Sequence, residues 1–112
     1  MKYTVSLKGN RSFRRMYSKG KSAATPTVVL YIRRNGSGEN RLGLTVGTKV
    51  GKAVRRNLVR RRLREAYRLH EGSFRRGWDI VAVARTRAAE ASYRELEADL
   101  LRAAARLGLT LP

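Results

Sequence analysis

Between Gly47 and Arg68 the chain reads GTKVGKAVRRNLVRRRLREAYR, its densest run of basic side chains. From Lys49 to Arg68 there are nine basic residues and a single acid, Glu65. Guanidinium is permanently charged, and its planar fork matches pairs of phosphate oxygens, so arginines grouped in this way suit a polyanion. If Lys52 to His70 is helical, Asn57, Arg60, Arg61, Arg64 and Arg68 recur at i, i+3, i+4, i+7 and i+11 and share one arc of roughly 100°. Val59, Leu63, Ala66 and Tyr67 fall on a different arc, so the spacing predicts one helix with an apolar back and an arginine front. Like charges at this spacing repel by a few tenths of a kcal/mol per pair, roughly, and only Glu65 lies among them. An anion bound at that face is the expected relief.

The entry to this helix, Gly47-Thr48-Lys49-Val50-Gly51-Lys52, has the glycines and lysines of a phosphate-cradling loop, in which backbone amides approach an anion at a helix N-terminus. It does not match a nucleotide-hydrolysing loop. The glycine spacing is one residue short, and Ala53 stands where a magnesium-binding Ser or Thr is required. The spacing leaves Lys49 and Lys52 as candidates for the phosphates of an RNA backbone. Groups for catalysis are missing: His70 is the only histidine, there is no cysteine, and no carboxylates are spaced for a two-metal site. A lone histidine near a helix C-terminus is more often a dipole partner than a general base. No catalytic residue and no metal ligand is therefore assigned in the protein.

The whole composition points the same way. Twenty-six Lys and Arg against eight Asp and Glu give a formal charge of +18 over 112 residues, the electrostatic footprint of a nucleic-acid partner. The charge is concentrated, net +8 from Lys49 to Arg68 and net −1 from Ala88 to Pro112. The length suits one domain, 1–112, with one core. MKYTVSLKGNRSF lacks the apolar stretch of a secretory signal, and no run approaches a membrane span, so a cytoplasmic protein with no membrane partner is expected.

The elements that must position these residues follow in order. Asn10 and Ser12 offer caps for a helix of about two turns carrying Phe13, Met16 and Tyr17, with Gly20 closing it. Lys21 to Pro26 suits a connection. Thr27 to Arg33 is β-branched and aromatic, with Val29, Tyr31 and Arg33 on one face and Val28, Leu30 and Ile32 on the other. After the turn-forming Asn35 to Asn40, the segment Arg41 to Gly47 alternates again, and the two strands are expected to pair as an antiparallel hairpin. Beyond the arginine helix, Glu71-Gly72-Ser73 interrupts the pattern and Asp79 to Ala84 reads as a buried strand opened by Trp78. Ser92 and Glu95 have the form of a capping box for a final helix through Leu96, Leu100, Ala104 and Leu107, ended by Gly108. The order is helix, strand, strand, helix, strand, helix, an α+β fold with a small mixed sheet packed with helices.

Phe13, Tyr17 and Tyr31 suit either base stacking or packing. Their spacing alone favours packing, since Phe13 and Tyr17 are separated as on any docked helix. Arg33, on the same strand face as Tyr31, tilts that face toward a basic, aromatic surface.

Three segments resemble the bacterial ribonuclease P protein component. They are Phe13-Arg14-Arg15-Met16-Tyr17 with Gly20, then Val28-Val29-Leu30-Tyr31, then Gly43-Leu44-Thr45-Val46 running into Lys49-Val50-Gly51-Lys52-Ala53-Val54-Arg55-Arg56-Asn57. The most specific part is Arg56-Asn57, followed by Arg60-Arg61, Arg64 and Glu65-Ala66-Tyr67. This chain departs from the family at Leu58, where arginine is usual.

The resemblance implies a left-handed βαβ crossover, with Arg41 to Gly47 and Asp79 to Ala84 parallel and the arginine helix between them. It implies the protein subunit of a ribonucleoprotein that removes the 5′ leader of precursor tRNA, with Mg2+ required by the catalytic RNA subunit. Its partners would be the ribonuclease P RNA and precursor tRNA, one monomeric protein per RNA. Residue by residue, it implies RNA binding by Lys49, Arg56, Asn57, Arg60, Arg61 and Arg64, and a cleft for the single-stranded leader at Phe13, Tyr17 and Tyr31. Lys52 enters through the loop argument, Arg68 through the helical arc and Arg33 through its strand face. A structural RNA-binding protein, such as a ribosomal one, would share the charge and the lack of catalytic groups. A free-standing nuclease is the third reading.

Overall fold

The computed structural model describes residues 1–112. Five strands form one sheet: β1 (Thr4–Ser6), β2 (Lys21–Ala24), β3 (Val28–Arg34), β4 (Asn40–Thr45) and β5 (Trp78–Ala84). Their order across the sheet is β1-β4-β5-β3-β2. Three α-helices accompany them: α1 (Asn10–Lys19), α2 (Ala53–His70) and α3 (Tyr93–Arg106). β5 is central because Ile80, Val81 and Ala82 are all at most 1% exposed, and a strand buried on both faces needs a neighbour on each edge.

The two faces of the sheet are covered differently. Leu30, Ile32, Leu42, Ile80 and Ala82 pack against Ala66 and Tyr67 of α2 and Leu100, Ala103 and Ala104 of α3, forming the main core. On the opposite face Met16 of α1 sits with Val81 and Leu7, and Phe13, Tyr31 and Val83 border them. α1 leaves the rest of that face open, which is where a cleft can form.

β4 and β5 pair in parallel, Arg41 opposite Asp79 through Thr45 opposite Val83, with α2 crossing between them. That is the βαβ unit the family resemblance implies. The expected β3–β4 hairpin is not formed. β5 lies between the two strands and pairs antiparallel with β3, while β4 takes β1 as its outer neighbour. The turn chemistry of Asn35 is real, since its side chain reaches the Glu39 carbonyl at 3.0 Å and receives the Ser37 amide at 2.8 Å. It redirects the chain without pairing the strands on either side.

Other expectations are corrected in detail. Lys21 to Ala24 is a strand paired with β3 rather than a connection, and Thr4 to Ser6 is a strand as well. α1 runs for ten residues, and neither Asn10 nor Ser12 caps it: the N-cap is Gly9, with no side-chain hydrogen bond. Gly20 follows the helix with extended backbone, φ −76°. It is glycine for want of space, since a Cβ would lie 2.6 Å from the Met16 carbonyl oxygen. The capping box at Ser92 and Glu95 is present, and Gly108 ends α3 at φ +72°.

Buried polar groups fix the ends of the sheet. Asn40, fully buried, donates to the Tyr67 hydroxyl at 3.2 Å and the Arg75 carbonyl at 3.0 Å, and accepts from the Trp78 amide at 3.0 Å. All its hydrogen-bonding capacity but one lone pair is used, so the start of β4 is tied to the approach of β5. Asp99 of α3 accepts from the Thr27 amide at 3.0 Å and hydroxyl at 2.6 Å, which pins the entry of β3.

Candidate nucleic-acid interface

α2 presents the two faces its spacing predicts. Val59, Leu63, Ala66 and Tyr67 are at most 1% exposed, whereas Asn57, Arg61, Arg64 and Arg68 are exposed and Arg56 and Arg60 are half-buried. The apolar back fixes the rotation of the helix, and the arginine front follows from it. Arg60 donates to the Asn57 side-chain oxygen at 2.9 Å, which orients its guanidinium along the helix. Arg62, off the arc, donates to the Ala91 carbonyl at 2.9 Å and ties α2 to the approach of α3.

Arg68 differs from the other arginines of the arc. Glu65 receives both its Nε and Nη2, and this hydrogen bonding holds the Glu65 carboxyl below its ordinary pKa. The arc therefore keeps three unneutralised arginines, Arg60, Arg61 and Arg64, ahead of one that is paired. Arg56 adds a donor: its Nε is buried and has no acceptor in the protein.

At the helix entry, Thr48–Val50 makes one 3-10 turn and leaves Lys49 and Lys52 exposed. Gly51 adopts φ +149°, a conformation that side chains disfavour. The first turn of α2 carries no acid and no side-chain cap, so its positive end is unopposed. Leu58 lies beside the arc in a recess with Val50, Val54 and Ala89 that Lys52, Arg55 and Glu90 also line.

The aromatic residues converge on the α1 side of the sheet. The Tyr17 ring meets Tyr31 edge-on, centroids 5.1 Å apart at 72°, and its hydroxyl hydrogen-bonds Thr45 at 2.8 Å. Phe13 rests over Gly43, where a Cβ would approach Cζ to 2.6 Å. Asn10, Phe13, Tyr17, Thr45, Val46 and Arg60 line a cleft of about 380 Å³. A second depression of about 310 Å³ continues past Phe13 and Gly43 to Arg60 and Arg64. Arg60 thus belongs both to the arc and to the cleft.

Arg33 stands apart. Register places it opposite Asp79 in the row that also holds Arg41, two residues along the strand from Tyr31, and neither Arg33 nor Tyr31 lines the cleft itself; Tyr31 meets it through the ring of Tyr17. Arg41 takes Asp79 in a two-pronged ion pair at 2.6 and 3.0 Å. Sequence reasoning missed Asn10, Leu44, Thr45 and Val46 as cleft residues. Thr45 shares the cleft with its neighbours Leu44 and Val46, so strand alternation alone does not single it out; its hydrogen bond to Tyr17 does.

No three His, Asp or Glu side chains converge anywhere in the chain to share a metal ion, and no helix is long and apolar enough to cross a membrane.

Comparison with known proteins gives this geometry a context. Residues 1–108 match the family model described as Ribonuclease P. The ribonuclease P protein component of Alkaliphilus oremlandii is 42% identical over 109 residues, covering 97% of this chain and 96% of the relative. That of Natranaerobius thermophilus is 42% identical over 102 residues, 91% of this chain and 89% of its own. Among solved structures, the Staphylococcus aureus RNase P protein superimposes with a TM-score of 0.86 at 30% identity, covering 97% of this chain and 98% of that one. The Thermotoga maritima RNase P protein, in complex with 1-(4-fluorophenyl)-2-thiourea, gives 0.80 at 34% identity over 86% of this chain and 94% of that one. With a family model spanning nearly the whole sequence, relatives above 40% identity and solved structures that superimpose at TM-scores of 0.80 and 0.86, the chain belongs to the ribonuclease P protein family.

Proposed function

We propose that the chain is the protein subunit of the ribonucleoprotein that removes the 5′ leader from precursor tRNA. It holds RNA, and the magnesium-dependent chemistry belongs to the RNA subunit. The observation that carries this reading is the double membership of Arg60, which makes the arginine arc and the aromatic cleft one continuous surface. A leader strand stacked against Phe13, Tyr17 and Tyr31 would leave the cleft beside the arginines. Lys49, Lys52, Arg56, Asn57, Arg60, Arg61 and Arg64 face the RNA subunit and neutralise its phosphates. Arg68, shared with Glu65, is the weakest of the arc, and Arg33 contributes charge beside the cleft rather than a wall of it. One monomeric protein serves one RNA subunit, in the cytoplasm.

The test is a cleavage assay with a bacterial ribonuclease P RNA and precursor tRNA at low magnesium. Added protein is expected to stimulate cleavage at the mature 5′ end. No stimulation with a matched RNA subunit overturns the proposal, and cleavage by the protein after stringent removal of RNA would move the chemistry into the chain.

A further inference from the structure

A second concentration of arginine lies at the far end of the molecule from the entry loop. Eighteen residues of α2 separate the two ends, a helix length of about 27 Å. Tyr3, Arg34, Phe74, Arg75, Arg76 and Trp78 line a depression of about 370 Å³ there. The Arg34 guanidinium lies 5.4 Å from the centre of the Trp78 ring, and that of Arg76 lies 4.5 Å from the Tyr3 ring. Arg75 and Arg76 each spend only Nε on the protein, donating to the Gly108 and Gly38 carbonyls at 3.0 and 3.1 Å. None of the three exposed arginines is paired with a carboxylate; the carboxylate contacts of basic side chains in the chain involve Arg41, Arg68, His70 and Arg102. Glu71, behind Tyr3, is engaged by the Lys2 and Tyr3 amides.

We propose that this depression is a second RNA contact, which takes an unpaired nucleotide. The base lies against a guanidinium that an aromatic ring already backs, and its phosphate is held by the free Nη groups. Unpaired bases stack on both aromatic rings and guanidinium planes, and an arginine held by a ring and a carbonyl loses less freedom on binding than a free one. Charge alone would suit an acidic peptide equally. The alternation of ring and guanidinium favours a planar ligand. The surface also adjoins the arginine arc, because Tyr3 shares the neighbouring recess with Arg68. The inference rests on the reading of the chain as a subunit of an RNA enzyme.

Trp78 is the only tryptophan, so its emission reports on the surroundings of this one lining residue. The full chain is titrated separately with a bacterial ribonuclease P RNA, with precursor tRNA and with mature tRNA. Saturable quenching of Trp78 is expected in at least one arm. Quenching by the RNA subunit assigns the nucleotide to that subunit, and quenching by precursor but not by the subunit assigns it to the substrate. The R34A/R76A variant is expected to bind that RNA about tenfold more weakly, with a salt dependence flatter by roughly one to two units. R34K/R76K keeps the charges without the planes, and is expected to restore the salt dependence but not the affinity. Full affinity in the lysine variant overturns the stacking arrangement. Unchanged emission in every arm, from a wild-type chain that binds RNA and stimulates cleavage, overturns the proposal and leaves the function intact. A wild-type chain that does neither overturns both. The wild-type emission arms decide the matter even if the alanine variant does not fold.

Discussion

Gly43 has room for a hydrogen and nothing larger. A Cβ there would lie 2.6 and 2.7 Å from two ring carbons of Phe13, and 3.4 Å from a methyl of Val81. Phe13 can bring the edge of its ring against β4 only because the strand is bare at that point. Gly43→Ala is expected to lift the ring, lower stability by about 1 to 3 kcal/mol in thermal melting, and weaken the grip of the cleft on a leader. Tyr31 acts differently, as a wall against which Tyr17 is set. Tyr31→Ala removes that wall and frees the Tyr17 ring, so binding of precursor tRNA should fall by more than binding of mature tRNA, which has no leader to stack. The difference should approach the worth of one stacked base, about 1 to 3 kcal/mol. Equal losses in filter binding would make Tyr31 a packing residue only.

Among the elements, β1 is the one held least by its own residues. Its three residues form an outer strand paired only with β4, and the chain before it is fastened by Glu71, whose carboxylate takes the Lys2 amide at 2.9 Å and the Tyr3 amide at 3.3 Å. Burial of Glu71 works against its charge, but the nearby Thr4 side chain and the hydrogen bonds from these two amides outweigh it and hold its pKa below the ordinary 4.5. A lowered carboxyl stabilises the fold above its unfolded-state pKa, and that contribution is lost as pH falls through the folded-state value. The attachment of β1 should therefore be constant near neutrality and weaken in the acid range below about 4.5. Glu71→Gln should cost about 1 to 3 kcal/mol, as expected for hydrogen bonds to a charged group, and flatten the acid limb of a stability profile measured by melting. An acid limb unchanged in the variant would assign it to other carboxylates.

The same elements show what local patterning can reveal. α2 is legible because Val59, Leu63, Ala66 and Tyr67 repeat one period along a long helix, and the arginine face follows from the buried one. β2 is not, since Lys-Ser-Ala-Ala has no β-branched or aromatic residue; it is a strand because β3 offers it an edge. Three residues of β1 are too few to show alternation. In the cleft, the aromatic residues were visible as types, but their convergence depends on how α1 crosses the sheet. The partner of each strand is likewise settled by burial of Ile80 to Ala82 on both faces, a demand that arises far from the turn at Asn35.

For the molecule as a whole, this placement of β5 makes the sheet a product of long-range pairing. β2 with β3 and β1 with β4 are separate pairs until β5 joins them. A chain truncated before Trp78 is expected to give no cooperative melt and little strand signal in circular dichroism, although α2 is complete within it. A cooperative melt from that fragment would show that the two outer pairs associate without their centre. The pairings are also distant, Val28 with Ala84 and Arg41 with Asp79, which favours slow closure. Synthesis runs from the N-terminus, so a ribosome delivers the entire arginine arc before the strand on which its helix settles. For that interval the RNA-binding charge exists without the surface that directs it, and polyanions nearby meet an undirected cation before they can meet a folded one.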